Sequence, residues 1–447
     1  MKRLVCRLAA SGLAFWLVAS APPASAADEA TFYLERIEVD NAPPAIGAIV
    51  LSQSLLKEGS RYSETELRDA LSRVRRLPLV RDAEFALHKG SSRGAYRLSI
   101  SVERMSPFFL QGSSNLSLFN ETVRLRETGR SLFDNSAAVG LRDSVGRQGM
   151  LFAGIGTTGS AYGELGYTQY GLFGTGGYAA ADLQYSASGN VLVLPFLADP
   201  SLSGWEVGES FAARLAVGIP IRRNDSIRAR YAHVQADART VAPVFGFQPD
   251  TPAAITKGRL SIDQADLDWL YDTTDDALLP TQGLFVSAGP GTLKANTPES
   301  FPTVSPPPGQ GPGPPPGPAA AQTTNTAYIS LSATRYLPVT DRQTLLGSLQ
   351  GYAGRTRVDQ QPRATTFGLV GTLGHSMSLL SSSSSRDIDD LRLETFLEYT
   401  YDRGPPLPAP SYTRFERLRV GTGVVFRSRW ALLRLGLSYA VFERGMQ

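Results

Sequence analysis

The chain predicts a mainly β protein: a transmembrane antiparallel β-barrel preceded by a small α+β domain. Three observations lead there. From about residue 106 onward, short segments alternate apolar residues with charges and glycines and are separated by turn residues. Beyond the N-terminus no stretch is apolar enough to cross a bilayer as a helix, so any membrane path must be made of strands. The first 26 residues, finally, read as an export signal.

That signal runs from Met1 to Ala26. Lys2, Arg3 and Arg7 precede an apolar stretch from Leu8 to Ser20, and Ala24-Ser25-Ala26 forms a small-residue cleavage site. Cys6, the one cysteine, leaves with it, so the mature chain is expected to have neither a disulfide framework nor thiolate chemistry. With three histidines in all, a zinc site is not expected, and no cofactor or catalytic residue is assigned. The 447 residues are 42% hydrophobic, with Gly 43, Pro 30 and 19% charged, a balance that favours β structure with long loops. A net charge of +3 and the lack of any dense basic run exclude nucleic acid as a partner.

Residues 27–105 read as the α+β domain. "FYLERIEVD" is a strand and "AIVLSQSLLKEG" a short helix stopped at Gly59. A second helix follows with Ser63 as N-cap and Glu66 completing a capping box, and Leu67, Leu71 and Val74 recur on one face. "LVRDAEFAL" and "YRLSISVER" are alternating strands joined by "HKGSSRG". Order and spacing resemble a POTRA domain, although the glycine usual after the first strand is Asn41 here. The resemblance implies a periplasmic module that receives unfolded client proteins by adding a strand to a sheet edge, that of "YRLSISVER" or "LVRDAEFAL".

Residues 106–447 read as the barrel. Phe211, Ala213, Leu215, Val217 and Ile219 share one face while Arg214, Ala216 and Gly218 share the other. Leu433, Leu435, Leu437, Tyr439 and Val441 oppose Arg434, Gly436, Ser438 and Ala440, and Leu418, Val420, Val424 and Phe426 oppose Arg417, Arg419, Gly421 and Gly423. Apolar residues outside with charges and glycines inside is the membrane-barrel pattern. Fourteen strands can be counted, with an extra in the weakly patterned stretch 371–385, and residues 301–326 form a Pro-rich extracellular loop.

"YDTTDDALLPTQG" closes the eighth strand of that count. Leu267, Trp269 and Tyr271 face one side, the aromatic pair suiting a membrane girdle, while Gln264, Asp266 and Asp268 face the lumen. Asp272, Asp275 and Asp276 then stand where strand gives way to turn, and Pro280, Thr281 and Gly283 reverse the chain. The three carboxylates lack the glycine and glutamate spacing of a calcium loop. An aspartate-bearing strand end followed by Pro-Thr-x-Gly resembles the BamA/TamA superfamily of outer-membrane assembly factors, also called the bacterial surface antigen family. The resemblance implies about 16 strands, a periplasmic position for this turn, and outer-membrane lipids and unfolded outer-membrane or secreted clients as partners. In that family an inward-folding sixth loop is tipped by an arginine-glycine pair that meets an acidic side chain on the thirteenth strand. The corresponding residues are His375 and Ser376, in "TTFGLVGTLGHSMS", and Glu398. "ERGMQ" stands where a further closing strand is expected.

Enzyme motifs do not hold up. "GIGTTG" matches a dinucleotide fingerprint but lacks a βαβ context, no G-x-S-x-G elbow occurs, and His233 lies on a strand without a nucleophile beside it. The expected function is non-enzymatic help in inserting or translocating other proteins at the outer membrane of a Gram-negative cell. The alternative is a passive or selective pore lined by Arg214, Arg417, Arg419 and Arg434 against Asp266, Asp268 and Glu398.

Overall fold

The computed structural model describes residues 30–114, 135–142, 148–157, 161–172, 174–186, 205–241, 255–276, 278–297, 322–358, 364–380, 388–403 and 414–446. The leader, residues 301–321 of the Pro-rich loop and the serine run 381–385 lie outside them. Residues 322–326, assigned above to that loop, are instead the start of a strand.

The N-terminal domain runs β1 (Thr31–Asp40), α1 (Pro44–Ser54), β2 (Ser60–Ser63), α2 (Glu64–Arg75), β3 (Val80–Lys89) and β4 (Ala95–Arg104). Its sheet has the order β2-β1-β4-β3, with β1 parallel to β4 and the other pairs antiparallel. Leu34, Val50, Leu67, Val74, Leu98 and Ile100 form the core, and each such buried side chain contributes roughly 1.5–3 kcal/mol. α2 begins as its sequence predicts: Ser63 Oγ accepts from the Glu66 N–H at 3.2 Å, and Glu66 Oε2 accepts from the Ser63 N–H at 2.9 Å. α1 departs from expectation. It starts at Pro44, whose fixed φ suits a first turn, and ends at Leu55, in the left-handed region, so Gly59 with φ +77° makes the bend into β2. Asn41 has φ +61°, which explains why a glycine is usual there and why asparagine is tolerated. Four-residue β2 escapes the sequence pattern and occupies one edge of the sheet. As a result "YRLSISVER", as β4, is internal and offers no free edge.

The barrel comprises β5 (Phe108–Ser114), β6 (Asn135–Arg142), β7 (Gly149–Thr157), β8 (Ala161–Leu172), β9 (Gly177–Ser186), β10 (Trp205–Pro220), β11 (Asp225–Val241), β12 (Ile255–Asp272), β13 (Gly283–Thr297), β14 (Gln322–Thr340), β15 (Gln343–Val358), β16 (Ala364–Ser378), β17 (Ile388–Arg403), β18 (Arg414–Ser428) and β19 (Ala431–Met446). These fifteen described strands, one fewer than the sixteen expected, close into a ring in chain order. The extra strand allowed for in the stretch 371–385 is β16, which starts earlier, at Ala364, and takes up the segment read above as an inward-folding loop. Most of its inward positions, among them Gly368, Thr372, Gly374 and Ser376, are small residues that dilute the alternation and make a wall strand look like a loop.

Burial confirms the inverted sense of the wall. Leu215, Leu267, Trp269, Ile329, Leu373 and Leu397 are exposed on the outside, while Asp182, Arg228, Asp268, Glu398 and Arg434 are buried within. Trp269 and Tyr271 stack at 6.1 Å near one rim. All neighbouring barrel strands pair antiparallel except the closing pair, β19 and β5, which run parallel.

The domain sits against the rim formed by the β12–β13 turn, here the proximal end. Tyr170 of β8 is buried in the domain's own core, with Met150 and Tyr178 packed against it. Gln148 Nε2 donates to Ala45 O at 3.1 Å, and the ion pairs Glu66–Arg223 and Arg81–Asp389 fix other points of the rim.

Ser63→Ala is expected to destabilise α2 by about 1 kcal/mol. Faster hydrogen exchange at the Glu66 amide in the detergent-solubilised full chain is the measurement, and Ser63→Asp should restore protection.

Candidate functional site: a turn across the barrel mouth

The segment between β12 and β13 is far more ordered than a surface turn requires, and its three aspartates explain why. Asp272 Oδ1 accepts from the Thr274 N–H at 3.0 Å and its hydroxyl at 2.7 Å, and Thr274 is fully buried. Asp275 Oδ1 accepts from the N–H groups of Thr281 and Gln282 at 2.9 and 3.2 Å, while the Thr281 hydroxyl reaches Oδ2 at 2.5 Å. Asp276 Oδ1 accepts from the Leu278 and Leu279 N–H groups at 2.6 and 3.0 Å. Backbone donors stranded by an irregular path are thus satisfied by short side chains nearby, an arrangement polar turns commonly use. The carboxylates that resemble a metal site in sequence are spent on the chain itself. Among the described residues no group of three His, Cys, Asp or Glu is arranged to hold a metal ion.

Gly283 returns the chain to the wall. Its φ is +111°, and a Cβ there would lie 2.4 Å from Thr273 O, so no other residue fits without strain. The Thr273 N–H donates to Leu284 O and the Leu284 N–H to Thr273 Oγ1, both at 2.9 Å, which pins the two strand ends together.

Between these anchors the turn reaches across the lumen. β12 and β13 are the eighth and ninth strands of the ring, yet the turn's partners lie on the thirteenth to fifteenth, β17 to β19. Arg427 Nη1 of β18 binds Asp276 Oδ2 at 2.6 Å. Arg434 of β19 is only 1% exposed and donates to Leu278 O at 3.1 Å, and Arg392 of β17 donates to Leu279 O at 3.4 Å. Leu279 packs with Val425 and Leu432, and Leu278 lies against them. From the other side Arg76, the C-cap of α2, donates to Asp272 O at 2.7 Å and Thr274 O at 3.0 Å, and pairs with the Asp272 carboxylate at 3.5 Å. One ten-residue turn therefore touches both the N-terminal domain and the closing strand.

The seam beneath it is the one parallel junction of the ring. Among the described residues β19 and β5 share five register pairs, Ala431 with Leu110 through Leu435 with Ser114. Beyond Leu435, β19 is paired only with β18 among the described residues, and Leu437 and Tyr439 are 76% and 72% exposed. A cavity of about 70 Å³ lies at the proximal end of the seam, lined by Phe109, Leu110, Arg142, Leu278 and Trp430.

The other sequence-predicted residues fall elsewhere. His375 and Ser376 are in β16, not in an inward-folding loop; His375 faces outward opposite Leu345 and Thr395. Glu398 faces inward, so strand alternation puts it on the opposite side of the wall from His375 and the expected pair does not form. Its partners are Arg417 and Arg419, at 3.8 and 3.5 Å. Arg214 pairs with Asp182 at 2.8 Å, and Asp268 with Arg228 and Arg230 at 2.9 and 3.0 Å. Asp266 accepts from Gln264 at 3.0 Å and from the Tyr328 hydroxyl. The lumen charges are mutually paired along the wall. Arg76, Arg392 and Arg427 were missed because each meets the turn only through contacts distant in sequence.

No protein-family model matches the chain, and the search of curated proteins found no match. Among solved structures it is similar to CdiB from Escherichia coli, with TM-score 0.50 and 12% identity over 92% of this chain and 73% of that one. It is also similar to BamA from Haemophilus ducreyi lacking POTRA domains 1–3 (TM-score 0.42, 11%, 92% and 81%) and to CdiB from Acinetobacter baumannii (TM-score 0.44, 10%, 89% and 68%). At such identities the likeness shows the barrel fold alone.

Gly283→Ala is expected to cost roughly 1–3 kcal/mol, read as a lower midpoint of thermal unfolding in detergent. Burial would raise the Asp276 carboxyl, but the Arg427 guanidinium and the Leu279 and Leu278 N–H groups hold it at about 2 against an ordinary 3.8. Its folded value being the lower one, the stabilisation is complete above the ordinary value and is lost as pH falls through about 2. Exchange protection at Leu278 and Leu279 should therefore be flat down to about pH 4 and drop by pH 2, while Asp276→Asn should lose about 2 kcal/mol of it at neutral pH.

Proposed function

We propose that this chain is an outer-membrane assembly factor of the BamA/TamA type, with a single POTRA domain in the periplasm, that assists insertion or translocation of other proteins. The observation that carries this reading is the seam. Among the described residues the closing strands share five pairs, all parallel, and parallel pairing is slightly less stable per residue than antiparallel. Beyond Leu435 β18 is the one partner of β19 among the described residues, and that distal length would offer backbone donors and acceptors to an incoming strand. A client would meet the domain first, at the exposed edge of β3, since β4 is internal and β2 spans four residues. No bond is made or broken, so the role is non-enzymatic. A passive pore is disfavoured by the turn lying across the proximal mouth and by lumen charges that are already paired.

Gly112 and Leu433 are register partners across the seam, which makes a disulfide lock the direct test. In cells carrying Gly112→Cys with Leu433→Cys, oxidation should lower the levels of other outer-membrane barrel proteins as depletion of the chain does, and reduction should restore them. Unchanged levels on depletion, together with ion conductance of the purified protein in planar bilayers, would sink the assembly role.

A further inference from the structure

We propose that the outward face of β11–β15, where it leaves the apolar band at the distal end, binds the phosphate groups of a lipid headgroup in the facing leaflet. The inference rests on reading the chain as an outer-membrane barrel.

On β15 the outward positions run Leu345, Leu349 and Ala353 and then change abruptly to Arg355 and Arg357. The apolar part spans nine residues, Leu345 to Ala353, within the roughly 9–11 residues that a tilted strand needs to cross a bilayer. The neighbouring strands change character along the same two rows. Strand register aligns Tyr231, Ala265, Thr292, Ala327 and Arg355 in one row. The next row outward is His233, Asp263, Lys294, Asn325 and Arg357. Inside the barrel at this level the order is reversed beside β11 to β13, with Val234, Ala236, Leu260, Ile262 and Leu293 forming an apolar cluster, while Thr326 and Thr356 bond each other inside β14 and β15. Apolar residues within and charges without mean that the outer surface here has left the hydrocarbon.

The two rows shape a concavity. Ala265, Thr292 and Ala327 are short and form a floor between the Tyr231 ring and Arg355, below Lys294 and Arg357, enclosing about 490 Å³. The one carboxylate in the rows, Asp263, is engaged by the Tyr231 hydroxyl and by His233 Nδ1, both at 2.7 Å. Among the described residues no carboxylate lies within ion-pair distance of Lys294, Arg355 or Arg357, all three exposed. Three cations with spare donors above a floor continuous with the lipid-facing wall complement an anionic headgroup whose chains extend down that wall. Arginine's planar fork matches phosphate oxygens in particular.

The test reconstitutes the full chain into phosphatidylcholine vesicles doped with lipid A, a diphosphorylated disaccharide lipid, or with its dephosphorylated form, and measures co-purified lipid by native mass spectrometry. Wild-type protein should enrich the phosphorylated form, less so as salt is raised. The triple variant Lys294→Gln, Arg355→Gln, Arg357→Gln should lose about fivefold per charge removed, on the order of a hundredfold in all. Arg342→Gln, at the opposite rim, should change nothing. Equal enrichment of both lipids, an unchanged triple variant, or an equal loss in the Arg342 variant would overturn the proposal. Failure of every variant to float with the vesicles would instead sink the barrel reading beneath it.

Discussion

In a lipid-facing wall every backbone polar group has to find its partner within the wall, and this constraint governs the rest of the molecule. Fifteen described strands run alternately up and down, so the first and last point the same way and can meet only in parallel. An odd ring is therefore obliged to have one seam unlike its other junctions. Among the described residues that seam has five pairs, and most of β19's backbone pairing there is with β18.

The turn after β12 is best understood as a brace for that weak place. Arg434 sits on β19 in the seam and is buried, so its guanidinium needs acceptors around it. Leu278 O supplies one because the turn comes to it from across the lumen. The Asp276–Arg427 pair and the packing of Leu279 hold the turn in place, and Arg76 ties its near end to the N-terminal domain. Domain, turn and seam thus form one contiguous chain of contacts.

Much of this was legible along the chain and some was not, for identifiable reasons. Ser63 and Glu66 announced α2 because a capping box is a contact between residues three apart. Arg214, Asp266, Asp268, Arg417, Arg419, Glu398 and Arg434 were placed inside because strand alternation is a period of two. β16 was only allowed for as an extra strand in 371–385, because small inward residues weaken that period, and its true start and the side of the wall that His375 occupies were not legible. The aspartates of the turn were seen, but their purpose was not, since Arg427 lies about 150 residues away and no local pattern names it.

The sequence by itself determined the class of the fold, which residues face lipid and lumen, and that Asp272 to Gly283 must leave the wall, because each follows from periodicity or from backbone geometry at a single residue. Gly283 is the clearest case, with its φ of +111°. Only the tertiary structure decided that the turn crosses the mouth, that the closing pair is parallel, and that Arg76 and Arg434 meet the same segment. Those outcomes depend on how many strands close the ring and therefore on which rim positions face one another. That is a property of the whole wall, and no stretch of sequence carries it.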